Sequence, residues 1–130
     1  MIPDNSPDYG IALASASILV VDDEPGIRHF LQKILSPRVK RVELAASAEE
    51  ATKHLDDTHF DVVILDNVMP SKTGLDWVKE QRQIGLYADI IMMTAYADLE
   101  TAIAAFRVGV SDFILKPFRA NQILSAVART

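Results

Sequence analysis

The feature that most constrains this chain is a rhythm. Short aliphatic runs recur along it, "ILVV" (Ile18 to Val21), "VELA" (Val42 to Ala45), "VVIL" (Val62 to Leu65), "IIMM" (Ile90 to Met93) and "FIL" (Phe113 to Leu115), each separated from the next by a stretch of helical period. An apolar run without polar alternation suits a strand that is covered on both faces. Five strands alternating with five helices predict an α/β fold, a doubly wound five-stranded parallel sheet with right-handed crossovers and helices on both faces.

The helical stretches carry their own signals. Ile27, Phe30, Leu31, Ile34 and Leu35 share one helical face, with Pro25 suited to the first turn and Pro37 ending the helix. Ser47 with Glu50 three residues later is a capping-box pattern, and Ala48, Ala51 and Leu55 follow on one face. Further helices are expected from about Thr73 to Ile84, from Leu99 to Val108 with Asp98 as N-cap and Gly109 as stop, and from Ala120 onward. Residues 1–14, "MIPDNSPDYGIALA", show neither period and read as an N-terminal leader, leaving residues 15–130 as one domain.

Composition narrows the function classes. The 130 residues are 49% hydrophobic and 24% charged, enough apolar surface for one core. A net charge of -5 with no basic run argues against direct nucleic acid binding by this chain. There is no cysteine, and His29, His54 and His59 lack paired ligand spacing, so neither a disulfide framework nor a thiolate or imidazole metal site is expected. No apolar stretch approaches the roughly 20 residues that span a bilayer and no signal peptide is evident, so the expected localisation is cytoplasmic, with no membrane association.

Polar residues close four of the five strands. Asp22 and Asp23 follow the first, Asp66 ends the third, Thr94 the fourth and Lys116 the fifth. In an open α/β sheet the ligand site lies outside the carboxyl ends of the strands, where strand order reverses. In the flavodoxin-like order 2-1-3-4-5 the first and third strands are neighbours about 4.8 Å apart, which crowds three carboxylates. Like charges so close do not all ionise unaided, and a hard divalent cation such as Mg²⁺ relieves them. With that cation and Lys116 offsetting charge, Asp66 can attack phosphorus and become an aspartyl phosphate. Taken singly, each acid is equally a turn former or a helix N-cap. Their joint placement favours the site.

In combination and order, "ILVVDDEP", "VVILDNVMPSKTG", "IIMMTAYAD" and "DFILKPF" resemble the receiver domain of bacterial two-component response regulators, over roughly Ser17 to Ala128. The tract "MMTAYADLETAIAAFRVGVSDFILKPF" looks most like receivers of the nitrogen-regulation type of transcriptional activators. The resemblance implies that Asp66 accepts the phosphoryl group and that Mg²⁺ is held directly by Asp23 and Asp66, through water by Asp22, and by the backbone carbonyl of Val68. It further implies that Thr94 and Lys116 contact the phosphoryl oxygens, that Thr94 and Phe113 form the switch, and that the Lys116–Pro117 bond is cis. The implied partners are a sensor histidine kinase, a histidine phosphotransfer protein, and a second copy of the chain across the fourth helix, fifth strand and fifth helix. Such a chain is not an enzyme beyond its own autophosphorylation and autodephosphorylation.

Apolar residues in "LETAIAAFRVGV" (Ala102, Ile103, Ala105, Phe106, Val108) cover more of the fourth helix than one buried stripe needs, which suits a partner surface. Val68 and Tyr96, at the mouth of the expected pocket, offer no carboxylate or amide to an attacking water, so slow hydrolysis of the phosphoryl group is expected. Three other readings share the pattern. A stand-alone phosphorelay receiver needs no output module. Aspartyl-phosphate hydrolases of the haloacid dehalogenase kind place D-x-D after the first strand, where this chain has adjacent acids. A flavin module wants Ser, Thr and Gly donors where "DDEPG" is anionic.

Overall fold

The computed structural model describes residues 13–95 and 98–130. The strands are β1 (Ser17–Val21), β2 (Arg41–Ala45), β3 (Val62–Asp66), β4 (Asp89–Thr94) and β5 (Val110–Leu115). They alternate with α1 (Pro25–Leu35), α2 (Ala48–Asp57), α3 (Gly74–Gln83), α4 (Leu99–Arg107) and α5 (Ala120–Arg129). All strand pairs are parallel, in the order β2-β1-β3-β4-β5. This is the expected doubly wound sheet. Among the described residues no helix is long and apolar enough to cross a membrane.

Side chains of successive strand residues point to opposite faces, and each face has its own core. On one side Leu19, Val21, Val63, Leu65, Ile90 and Met92 pack with Ala51, Trp77, Val78 and Ala105 of α2, α3 and α4. On the other, Ile18, Val20, Ile64, Ile91 and Met93 pack with Leu31 and Leu35 of α1 and with Ile123, Leu124 and Val127 of α5. Coverage on both faces is why β1 and β3 are buried at all their positions. Leu13, within the stretch read as leader, is buried in the second core.

The helix starts obey local chemistry. Ser47, Thr73 and Asp98 cap α2, α3 and α4, accepting from the backbone N–H of Glu50, Asp76 and Thr101 at 3.2, 3.1 and 2.7 Å. Trp77 is fully buried, and its indole N–H donates to Thr52 Oγ1 at 3.1 Å, joining α3 to α2.

Two expectations change. β5 begins at Val110, three residues ahead of the "FIL" run, because an edge strand needs only part of its length apolar. Its pairing with β4 shifts register between Ile90 and Ile91, where Val110 and Asp112 are the successive partners and Ser111 is passed over. Phe30 does not join the buried stripe of α1. It is 38% exposed and tilts against Phe118 with ring centroids 6.0 Å apart, at the margin of a helical face whose centre is held by Leu31 and Leu35.

Arg82 ties two connections together. Its guanidinium donates to the carbonyls of Leu86, Ala88 and Gly109 at 2.7, 2.9 and 2.9 Å, and more weakly to that of Val108 at 3.4 Å. The β4 approach and the α4–β5 turn thus share one cation, and Gly109 takes a positive φ of 90° in that turn. The Lys116–Pro117 bond is cis.

Candidate functional site

Register brings the polar strand ends together. Val21 pairs with Leu65, Asp66 with Met93 and Thr94 with Leu115, so Asp22, Asp66, Thr94 and Lys116 emerge at one edge of the sheet. The ladder continues past the strands: Asp22, Asn67 and Lys116 donate backbone N–H groups to the carbonyls of Ala45, Met93 and Thr94 at 3.1, 2.9 and 2.9 Å. These bonds hold the loops close to the sheet.

The centre of the site is the ammonium of Lys116. It donates to Asp22 Oδ2 at 2.9 Å and to Asp66 Oδ2 at 3.1 Å, and pairs with Glu24 Oε1 at 3.4 Å. Asp22 is fully buried and Asp66 is 4% exposed. Asp22 Oδ1 accepts the backbone N–H of Glu24 at 2.9 Å, while Arg28 donates to the Asp22 carbonyl at 2.7 Å. The other oxygen of Asp66, Oδ1, accepts the backbone N–H of Val68 at 3.1 Å. Every buried acidic oxygen therefore has a partner, as burial of a charge demands.

Burial pushes the Asp66 carboxyl above its ordinary value. The backbone N–H of Val68 opposes that shift, the charge of Asp22 adds to it, and Lys116 works against it. Burial also disfavours the Lys116 ammonium, but the hydrogen bonds to Asp22 and Asp66 outweigh it and hold the group above the usual lysine range. One ammonium faces three carboxylates.

Ligand oxygens from Asp22, Asp23, Glu24 and Asp66 all lie within 4.8 Å of one another. A donor set of oxygens alone, with surplus negative charge, fits a hard divalent cation. Asp23 and Glu24 are exposed, which leaves the cluster open to solvent on one side. A cleft of about 210 Å³ runs past it, lined by Asp23, Glu24, Asp66, Val68, Ala95 and Lys116.

Of the residues expected at the site, Asp22, Asp23, Asp66 and Lys116 converge, and Val68 stands 54% exposed at the cleft rim. Thr94 is fully buried at the end of β4, immediately before the cleft residue Ala95. Phe113 lies on β5 outside the cleft, half-buried against the core that includes Ala105. Tyr96 lies outside the described residues. Sequence reasoning passed over Glu24, because an acid ahead of a proline at a helix start reads as a turn; its signal was that it is the third consecutive acid after β1.

A close approach positions the loop that follows Asp66. A Cβ on Gly74 would lie 2.7 Å from the Asp66 carbonyl oxygen and 3.0 Å from Asn67 Cα, so only glycine lets α3 start against β3. Asn67 fastens the same junction, its carbonyl accepting from Gly74 N–H at 2.7 Å and its Oδ1 from Leu75 N–H at 3.0 Å.

The family model for the response regulator receiver domain matches residues 18–128. The chemotaxis protein CheY of Bacillus subtilis (strain 168) is 37% identical over 117 residues, covering 87% of this chain and 95% of that protein. The DNA-binding transcriptional regulator NtrC of Azospirillum brasilense is 32% identical over 117 residues, covering 90% of this chain but 24% of that protein. The chain spans about a quarter to a half of the length of several such relatives. Among solved structures, chemotaxis protein CheY4 of Vibrio cholerae superposes with a TM-score of 0.83 at 32% identity, over 89% of this chain and 98% of that one.

Proposed function

The chain belongs to the response regulator receiver domain family, and from that premise we propose that it is a phosphorylation-controlled signalling domain that accepts a phosphoryl group on Asp66. The observation that carries the reading is the ammonium of Lys116 held between Asp66 and Asp22, at 3.1 and 2.9 Å, beside an open acidic cluster. In the reaction a carboxylate oxygen of Asp66 attacks phosphorus, the bond from phosphorus to the donor breaks, and the donor leaves with that electron pair. Asp66 is already oriented for this by Val68 N–H and Lys116. Lys116 then turns from the carboxylate to a phosphoryl oxygen, and Thr94 donates its hydroxyl proton to another.

Asp22, Asp23, Asp66 and the Val68 carbonyl are the residues that would hold Mg²⁺, and when bound the ion offsets negative charge on the incoming phosphoryl group. Residues 15–130 act as the receiver, preceded by residues 1–14. The donor is a sensor histidine kinase in the cytoplasm. The output surface is the α4-β5-α5 face, where Leu99 is 75%, Phe106 52%, Leu115 50% and Ile103 41% exposed, a grouping of apolar side chains of the kind that marks interaction sites. Phosphorylation draws Thr94 toward the phosphoryl group, Phe113 turns inward, and the remodelled face binds a second copy.

Relatives such as NtrC support a regulatory role in transcription. The match over 95% of CheY favours a second reading, a receiver that works without a fused output module and passes its phosphoryl group to a histidine phosphotransfer protein. The reading frame beyond residue 130 decides between the two. For the reaction itself, acetyl phosphate with Mg²⁺ is expected to add one phosphoryl group to the wild type and none to Asp66→Asn, read by intact mass. Labelling of the variant, or an unlabelled wild type, refutes the assignment.

A further inference from the structure

We propose that Glu24 is a catalytic residue for loss of the phosphoryl group, its carboxylate orienting the water that attacks the phosphorylated Asp66. The proposal rests on Asp66 being the acceptor. Asp66 lies at the base of the cleft, so a water attacking in line with the bond to be broken enters from the open side. What lines that side among the described residues decides which group can hold the water. Val68 and Ala95 are apolar, and Lys116 is a donor only, already committed to carboxylates and then to the phosphoryl group. Asp23 and Glu24 are the other acidic liners, and Asp23 belongs to the proposed cation ligands. Glu24 remains.

Its position suits the task. The Glu24 side chain is 62% exposed, yet its carboxylate reaches within 4.8 Å of that of Asp66. Near-attack geometry places a nucleophile roughly 3–3.5 Å from the atom it attacks, so a water poised on a phosphorus at Asp66 and the Glu24 carboxylate stand at comparable distances from Asp66 on the cleft side. The residue is anchored at its base, because its backbone N–H is bonded to Asp22 Oδ1 at 2.9 Å and Pro25 opens α1 directly after it. Lys116 occupies one acceptor site at 3.4 Å, and a carboxylate has about four. In the step, the water oxygen bonds to phosphorus as the bond from Asp66 breaks. The electron pair returns to the Asp66 carboxylate, and a water proton passes to a phosphoryl oxygen so that orthophosphate leaves. Glu24 accepts the hydrogen bond that points the water's lone pair at phosphorus.

The test is the split between gaining and losing the phosphoryl group. After labelling with acetyl phosphate and Mg²⁺ and removal of the donor, orthophosphate release from Glu24→Ala should slow roughly tenfold or more, the scale of a positioned acid or base. Glu24→Gln, which keeps an acceptor oxygen, should fall between the two. Mg²⁺ affinity by calorimetry should fall by much less than release does in both. A release rate equal to wild type in Glu24→Ala overturns the proposal, including the case where only labelling accelerates, since Glu24 would then merely repel anionic donors. Loss of Mg²⁺ affinity in parallel with release also overturns it, making Glu24 a ligand. A wild type that takes no label removes the reading of Asp66 beneath it.

Discussion

Asp66 is held against its own charge. Because burial raises its carboxyl above the ordinary value of 3.8, the folded chain binds its proton more tightly than the unfolded chain does. Stability therefore falls as pH rises from 3.8 through the higher folded value, and the ionised group is a standing cost at neutral pH. Without divalent cations, Asp66→Asn is expected to stabilise the fold by about 0.5–2 kcal/mol, the usual gain when a strained functional residue is relieved. Urea titration followed by Trp77 fluorescence measures it, and a less stable variant contradicts the account. Lys116 runs the other way. Its raised value means its contribution is fully present below 10.5 and is lost only at higher pH. Added Mg²⁺ should raise the melting temperature of the wild type, corresponding to about 2.7 kcal/mol at a hundred times the dissociation constant. Asp23→Ala should lose most of that increment. Asp22, Asp66, Thr94 and Lys116 were legible because each ends a recognisable strand, whereas Glu24 depends on a side-chain direction that strand periodicity does not encode.

At the scale of elements, the junction of β3 and α3 is closely packed beside Asp66. Gly74→Ala forces a Cβ against the Asp66 carbonyl, an overpacking that typically costs about 1–3 kcal/mol. Because the atom it displaces belongs to Asp66 itself, slower labelling by acetyl phosphate should accompany the lost stability. Normal labelling in a destabilised variant would separate the two effects. Helix starts were readable from Ser47, Thr73 and Asp98 because an N-cap is a local event within three residues. The true start of β5 was not, since Ser111 and Asp112 lack the apolar pattern and their pairing depends on β4 across the sheet. Likewise the partnership of Phe30 with Phe118 spans the length of the domain and has no local signature.

For the whole molecule, a parallel sheet covered by helices on both faces followed from the alternation of runs, because crossover handedness leaves few ways to cover a parallel sheet, whereas the order β2-β1-β3-β4-β5 was a supposition that alternation alone does not fix. The output was less legible, as it is a difference between two states. Beryllofluoride with Mg²⁺ is expected to shift the protein toward a dimer in sedimentation, with chemical-shift changes reaching residues 99–118. Thr94→Ala should still accept a phosphoryl group on Asp66 but leave the sedimentation unchanged. A mass independent of the mimic over a wide concentration range would exclude dimerisation as the output. The carbonyls of Val108 and Gly109, just past the end of α4, are gripped by Arg82, while the start of the same helix follows Thr94 by only a few residues. Under the proposed switch such a helix would be a lever with its fulcrum at the far end: a push delivered after β4 would swing Leu99 widely, Ile103 less and Val108 hardly at all, placing the greatest travel at the most exposed apolar residue of the face.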